Sequence, residues 1–589
     1  MKKPTEKHIF LLPIALWFII IPLIVKVKFF PNPLAEYPWY SSDTTLADFF
    51  LYYKSVLVTI TGVLMLVILC WQIRKIRRKD TLMSADTRIF IPILVYLFFV
   101  IFSSLFSKYG YFCVHGMPDQ FETVWNLIAY VVALFYCYYA VVWLKAEKDV
   151  LSLIFIAAVP VSLICVLQFL KIDIYRIIYA GDGYTFTFLP GQVYGPFYNI
   201  NYVGYYTLLL FPLFILLCIF CRDLKIRLAS AVLAVALFIS MIGAQSISAE
   251  LAMAGVAVFA VFFFLLRHVK EKKILWIPVV LMIAGGIGGF VLAMPKLNDY
   301  LQAMDTEKTD LENIFTNDDN VEVDYKGQKL FIQMLQSGDL VSFFLTDQDQ
   351  NEVAFAYAFS DTGYYYTIDD TRFEGITLMP VIITEDPVTY GFFAQINGKN
   401  WCFSNQTTED GSYVYYNDLG KCIKLTSDIV SPDFAPLVHV SALASKRGYI
   451  WDKTIPLLKD YLFLGSGADT FALVYPNDDF VDKYNNDYDN LIFTKPHSLY
   501  LQIAIQTGML SLICFLVFYL WYFISGLRLY FRKQFDDPLT VSGFAILLGT
   551  AGYMISALAN DSTITISPLY WALLGIGIGI NQRIRSGQS

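Results

Sequence analysis

Charge is scarce in this chain. Only 16% of its 589 residues are Asp, Glu, Lys or Arg, 57% are apolar, and mean hydropathy is +0.53. Soluble domains carry about 25% charged residues, so an ordinary water-soluble globule is excluded. Cysteine is no framework either. Of nine cysteines, all but Cys402 and Cys422 lie in or beside apolar runs, where they behave as small buried hydrophobes. Cys402 and Cys422 share a polar segment, and both a disulfide and a free pair stay open. No His/Cys/carboxylate set has metal-ligand spacing, so no metal site is expected. Internal repeats and low-complexity tracts are lacking. No small-residue cleavage site follows the first apolar run, and a removable signal peptide is not expected.

Long apolar runs dominate what is present. A membrane-spanning helix needs about 20 mostly apolar residues, and twelve runs qualify, near 9–25, 52–73, 89–107, 123–144, 150–170, 202–220, 228–245, 249–266, 274–294, 499–526, 538–559 and 565–582. With the N-terminus in the cytosol, the alternate loops that fall inside hold 23 Lys and Arg, against six in the short outer loops. That is the positive-inside bias. The expected topology has an even number of spans and both termini cytosolic.

The acid is confined to one place. Lys296 to His497 holds 32 Asp and Glu against 14 Lys and Arg, which places one large acidic loop outside. Within it, 318–430 reads as β-structure: Val321, Val323 and Tyr325 alternate with acids, and Asn397-Gly398 is a two-residue hairpin signal. Residues 440–497 read as helical and loop-like. The expected division is 1–295 with nine spans, 296–497 as the outer loop with its β insert, and 498–589 with three spans.

Five polar clusters map to the outer face. They are Gly116-Met117-Pro118-Asp119-Gln120-Phe121-Glu122, Gly191 to Asn201, Gln245 to Glu250, Arg447 to His497, and Asn560-Asp561-Ser562. Each has a bland reading as caps and turns, and Glu250 reads as a helix-start acid. Their convergence on one face favours a site, because polar groups near a bilayer are costly and tied to function. Arg447 and His497 are the sharpest pair. A guanidinium fork binds phosphate bidentately, and the helix start at Ser498 adds partial positive charge. The alternatives are an arginine snorkelling to water and a histidine beside a cap. Ser498, Gln502 and Gln506 recur every four residues as a polar stripe.

In order and spacing, several of these elements resemble the O-antigen ligase and polymerase superfamily, membrane glycosyltransferases acting on polyprenyl-diphosphate-linked sugars. The elements are the Gly116–Glu122 loop, Gly195-Pro196-Phe197-Tyr198-Asn199-Ile200-Asn201, Arg447 to Trp451, Lys459-Asp460-Tyr461 to Phe471, Lys495-Pro496-His497-Ser498 to Gln502, and Asn560-Asp561-Ser562 before Pro568 and Trp571. The resemblance implies an all-α, GT-C-like membrane bundle carrying an added β-rich domain, a feature similar to Gram-positive members. It implies that Arg447 and His497 are essential for transfer. Many members carry another arginine in the hairpin at 245–250. Here that hairpin has no base, and Lys495, Lys446 or Arg176 is the expected substitute.

By that resemblance the lipid diphosphate leaves the anomeric carbon while an acceptor hydroxyl attacks. Arg447 stabilises the charge on the phosphates, and His497 either deprotonates the acceptor or hydrogen-bonds the diphosphate. Glu122, Glu250 and Asp469 are further base candidates, and Asn199, Asn201, Gln502, Asn560 and Asp561 complete the expected substrate-binding set. Expected partners are the lipid-linked oligosaccharide, an acceptor glycan and other glycan-assembly membrane proteins. Neither cofactor, metal nor nucleic acid is expected. Polymerase and ligase differ only in acceptor; the Gram-positive likeness, with no lipopolysaccharide core, favours a polymerase. The rival readings are a polysaccharide or lipid transporter, which commonly shows two related halves not seen here, and a glycan-binding assembly protein using Tyr364 to Tyr366, Tyr413, Tyr415 and Tyr416.

Overall fold

The computed structural model describes residues 6–77, 87–179, 188–268, 310–360, 363–385, 387–437, 443–489 and 491–587. Among these, nine helices are long and apolar enough to cross a membrane. The protein is a multi-pass helical bundle with a separate β-rich region. The apolar run 274–294 lies outside the described residues.

Two environments, lipid and core, are both apolar, so hydropathy alone does not sort these helices. Burial does. Val124–Val142, Ile200–Phe220 and Pro538–Ser556 are 72–83% buried, whereas the other six are 28–39% buried and face outward. The final helix, Ser567–Arg585, is buried along nearly its whole length and packs on Val124–Val142. Its glycines permit that approach. A Cβ at Gly575 would stand 2.1 Å from the Leu134 carbonyl oxygen, so only glycine lets the two backbones touch.

Three expected spans differ among the described residues, the last of them because Ser567–Arg585 is helical and buried but is not one of the nine. The first run forms Glu6–Ala15, a π-helical turn Leu16–Ile20 and Ile21–Leu23, and its apolar helix of residues 8–23 is shorter than the nine. The run at 499–526 is two helices, Leu499–Thr507 and Met509–Arg532, broken at Gly508 with φ 101°. The break is forced by close packing: a Cβ on Gly508 would lie 2.4 Å from the Phe463 carbonyl oxygen. The polar stripe of Ser498, Gln502 and Gln506 therefore belongs to a short helix at one end of the bundle, not to a span.

The first two strands, β1 (Lys28–Pro31) and β2 (Thr45–Asp48), form a small antiparallel ribbon. The β-rich region is two antiparallel meanders. β3 (Leu311–Thr316), β4 (Val321–Tyr325), β5 (Gln328–Ser337) and β6 (Leu340–Asp347) form one sheet. β7 (Phe355–Ser360), β8 (Gly363–Ile368), β9 (Ile376–Glu385), β10 (Val388–Ile396), β11 (Lys399–Ser404), β12 (Val414–Tyr416) and β13 (Cys422–Ile423) form the other. The alternation at Val321, Val323 and Tyr325 buries all three, and the sheets share one core in which Phe343 meets Tyr366 and Phe392. Asn397 and Gly398 sit at positive φ between Ile396 and Lys399, a two-residue hairpin. β3 starts at Leu311, ahead of the expected 318, because a register shift between Leu311 and Asn313 breaks its alternation.

Cys402 and Cys422 are both free. Each is opposite Tyr416, on either side of it, which sets them two strands apart. At about 4.8 Å per strand that exceeds the reach of a disulfide.

Candidate functional site

All five sequence clusters meet at one end of the bundle, and the Asn560-Asp561-Ser562 turn is their hub. Asn560 Oδ1 accepts from Arg447 Nη2 at 3.4 Å. Asp561 Oδ2 lies 3.0 Å from His497 Nδ1. Adjacent residues of one turn thus hold the guanidinium and the imidazole. Asp561 Oδ1 accepts from the Ser498 backbone N–H at 3.0 Å, and the Asn560 carbonyl accepts from Leu499 N at 2.8 Å. These contacts satisfy donors at the start of the Leu499–Thr507 helix that have no intrahelical partner.

Arg447 projects from the helix Leu443–Thr454. One turn on, Trp451 Nε1 donates to the Pro496 carbonyl at 2.9 Å, linking that helix to the segment bearing His497. Lys453 anchors its far end, buried against Asp433 and, at 2.9 Å, Asp482. His497 remains 42% exposed while Asp561 is 3% exposed. The imidazole is therefore open on the side away from its carboxylate.

Lys495 is buried and donates to the Tyr202 hydroxyl at 3.0 Å. Burial opposes its charge, but Tyr202 and Asp561 more than offset this and hold it above its ordinary value. Asn199 caps the Ile200–Phe220 helix by accepting from Asn201 N at 2.9 Å. Asn201 Oδ1 accepts from Ser246 Oγ at 2.7 Å, and Asn560 Nδ2 donates to Ser248 Oγ at 2.7 Å. The hairpin at 245–250 thus joins through its serines.

Glu122 and Asp469 form the floor. Glu122 Oε1 accepts from Tyr130 and Ser562 hydroxyls at 2.8 and 2.7 Å, and Gln502 Nε2 reaches Oε2 at 3.4 Å. Gln502 Oε1 in turn accepts from Ser562 N at 2.7 Å. Burial pushes the Glu122 carboxyl up, with the Ser562 and Tyr130 hydrogen bonds opposing. Asp469 Oδ2 accepts backbone N–H bonds from Met117 at 2.7 Å and Glu122 at 3.1 Å, so it fixes the Gly116–Glu122 loop. Beside Glu122 lies a cavity of about 20 Å³ bordered by Gln502, Gln506 and Ser562, room for one water but not for a sugar.

Burial raises the Asp469 carboxyl from 3.8 to about 7. The unfolded chain releases this proton near 3.8, whereas the folded protein keeps it until about 7. Stability therefore falls by roughly 1.4 kcal/mol per pH unit across that window and levels off above it. Asp469→Asn retains an oxygen for both N–H donors and does not titrate. Its melting temperature is expected to gain on that of the wild type from pH 4 to 7, with a constant difference above. A difference independent of pH would show that Asp469 is charged throughout.

Asp119, Tyr198, Asp469 and His497 sit at φ 67°, 77°, 61° and 50°. Each such non-glycine residue costs about 1–3 kcal/mol and persists where the surroundings over-determine it, commonly at functional sites.

Other expected residues are placed differently. Glu250 is exposed in the first turn of Ile247–His268, and no described residue hydrogen-bonds its carboxylate. Lys446 belongs to the Arg447 helix, but its side chain lies outside the described residues. Arg176 is engaged by Asp173 and the Phe188 carbonyl. Lys54, one of the six Lys and Arg assigned to the short outer loops, is buried in the first turn of Tyr52–Arg77 and bonds the Pro196 carbonyl. The sequence placed Ser246, Ser248 and Ser562 in polar clusters without giving them a role of their own, and Tyr202 was not nominated. Adjacency to nominated asparagines and aspartate was the available signal.

Residues 412–516 match the family model described as O-antigen ligase. This segment runs from the last strands of the β-rich region through Arg447 and His497 into Met509–Arg532, and it supports the O-antigen ligase/polymerase superfamily and, generally, a membrane glycosyl-transferring enzyme. No curated protein matches the chain.

Proposed function

We propose that this chain, with its O-antigen ligase segment, polymerises or ligates polyprenyl-diphosphate-linked oligosaccharide at the outer face of the cytoplasmic membrane. Both termini are then cytosolic and the β-rich region external, as the distribution of Lys and Arg indicates. The observation carrying this reading is the single turn, Asn560-Asp561, that holds both Arg447 and His497.

In this reading Arg447 and Lys495 face the donor diphosphate and stabilise the charge that builds as it leaves. Asp561 holds His497 through Nδ1, which places the proton there and leaves Nε2 to act on the acceptor hydroxyl. As the new bond forms between the acceptor oxygen and the anomeric carbon, the bond to the diphosphate oxygen breaks. The lipid diphosphate departs with the electron pair and His497 takes the hydroxyl proton. Glu122, Asp469 and Gln502 keep the surrounding loops in place, and the Asn199–Asn201 helix start and Ser246–Ser248 hairpin form the opposite wall. A growing lipid-linked chain is the favoured acceptor.

Purified protein given lipid-diphosphate glycan is expected to lengthen or transfer it with no ion gradient and with divalent metal chelated. Asp561→Asn is expected to lower the rate about tenfold or more, because it removes the charge that stabilises the imidazolium and disturbs its tautomer. Gradient-dependent movement of donor without a new glycosidic bond would establish a transporter instead.

A further inference from the structure

Away from this site, at the other end of the bundle, the helices Ile247–His268 and Met509–Arg532 leave an open groove of about 360 Å³. Phe259 and Phe262 form one wall, and Leu527 and Phe531 the other. Its rim carries Arg528 and Arg532, one helical turn apart on the same face and both exposed. Among the described residues neither arginine makes an ion pair. Arg267 does not supply a third free cation: it stacks on Phe535 with its guanidinium carbon 4.9 Å from the ring centroid, and its Nη1 reaches the Tyr530 carbonyl.

We propose that this groove binds an anionic phospholipid of the surrounding bilayer. The headgroup phosphate sits between Arg528 and Arg532, and an acyl chain lies along the phenylalanine walls. The charge pattern selects this occupant. Two guanidiniums spaced by one turn are about 5–6 Å apart at Cβ, and planar forks suit a phosphate oxygen pair. An apolar channel running down from them fits a chain rather than a soluble anion, and basic recesses between helices are a known form of lipid recognition. A zwitterionic lipid offers the same chain but its ammonium meets like charge at the rim. This site is independent of glycosyl transfer.

The test is electron spin resonance of the whole protein in phosphatidylcholine vesicles containing spin-labelled phosphatidylglycerol or spin-labelled phosphatidylcholine. Wild type is expected to retain phosphatidylglycerol preferentially, with the preference weakening as salt rises. Each arginine contributes about fivefold near a membrane surface, so Arg528→Gln/Arg532→Gln should reduce the preference roughly 25-fold while glycan transfer persists. Phe262→Ala alone should loosen both lipids and spare the preference. Equal retention of the two lipids by wild type would overturn the site. So would a preference unchanged in the double variant.

Discussion

Arg447→Ala is expected to lower glycan transfer by about 10²–10³-fold, the range for loss of one group that stabilises charge developing in a transition state. The loss should fall on kcat more than KM, since the extra charge on the diphosphate appears as the bond breaks. Arg447→Lys should recover only part of it, because an ammonium cannot reproduce a bidentate fork. The residue is half-buried and reaches the site from a helix held elsewhere by Trp451 and Lys453, so the alanine variant should fold. Equal melting temperatures would separate chemistry from folding. Normal glycan chain length in cells carrying Arg447→Ala would reject the diphosphate-binding role.

Gly465→Ala is expected to unfold or badly destabilise the protein. A Cβ there would sit 2.1 Å from the Gln506 backbone carbonyl carbon and 2.3 Å from both its oxygen and Thr507 N. Every obstacle is main chain, which cannot rotate aside, so the cost exceeds ordinary overpacking of about 1–3 kcal/mol. Here Gly465 N bonds Ser103 Oγ at 2.8 Å, and Ser466 N and Gly467 N bond the carbonyls of Ile505 and Gln506. The segment is threaded between Ile91–Leu105 and Leu499–Thr507. Gly110→Ala is the control, with nothing within 4 Å of its Cβ. Thermal unfolding in detergent should show a large drop for the first and little change for the second; equal values would mean the segment can move apart.

Much of the candidate site was legible because chemistry rare in a membrane sequence stands out. Arg447, His497, Lys495 and Asp561 are charged or ionisable residues near apolar runs, where such groups are costly, and they converge in space. Glu250 did not join them. A carboxylate in a helix's first turn has the same sequence appearance whether it caps the helix or serves a site, and only its exposure in the folded protein distinguishes the two. The break at Gly508 was hidden for a related reason. The residues on both sides are apolar and helix-forming, so the interruption comes from the approach of Phe463, 45 positions away.

Composition and local pattern by themselves determined that the chain lives in a bilayer, that one segment forms β-structure, and which polar clusters are out of place. Those properties follow from transfer of apolar surface out of water and from side-chain alternation, both of which act over a few neighbouring residues. Only the tertiary structure decided which helices face lipid and which form the core, that Asn560-Asp561 joins Arg447 to His497, and that Cys402 and Cys422 stay apart. Those depend on contacts between distant parts of the chain, set by backbone approach and strand register.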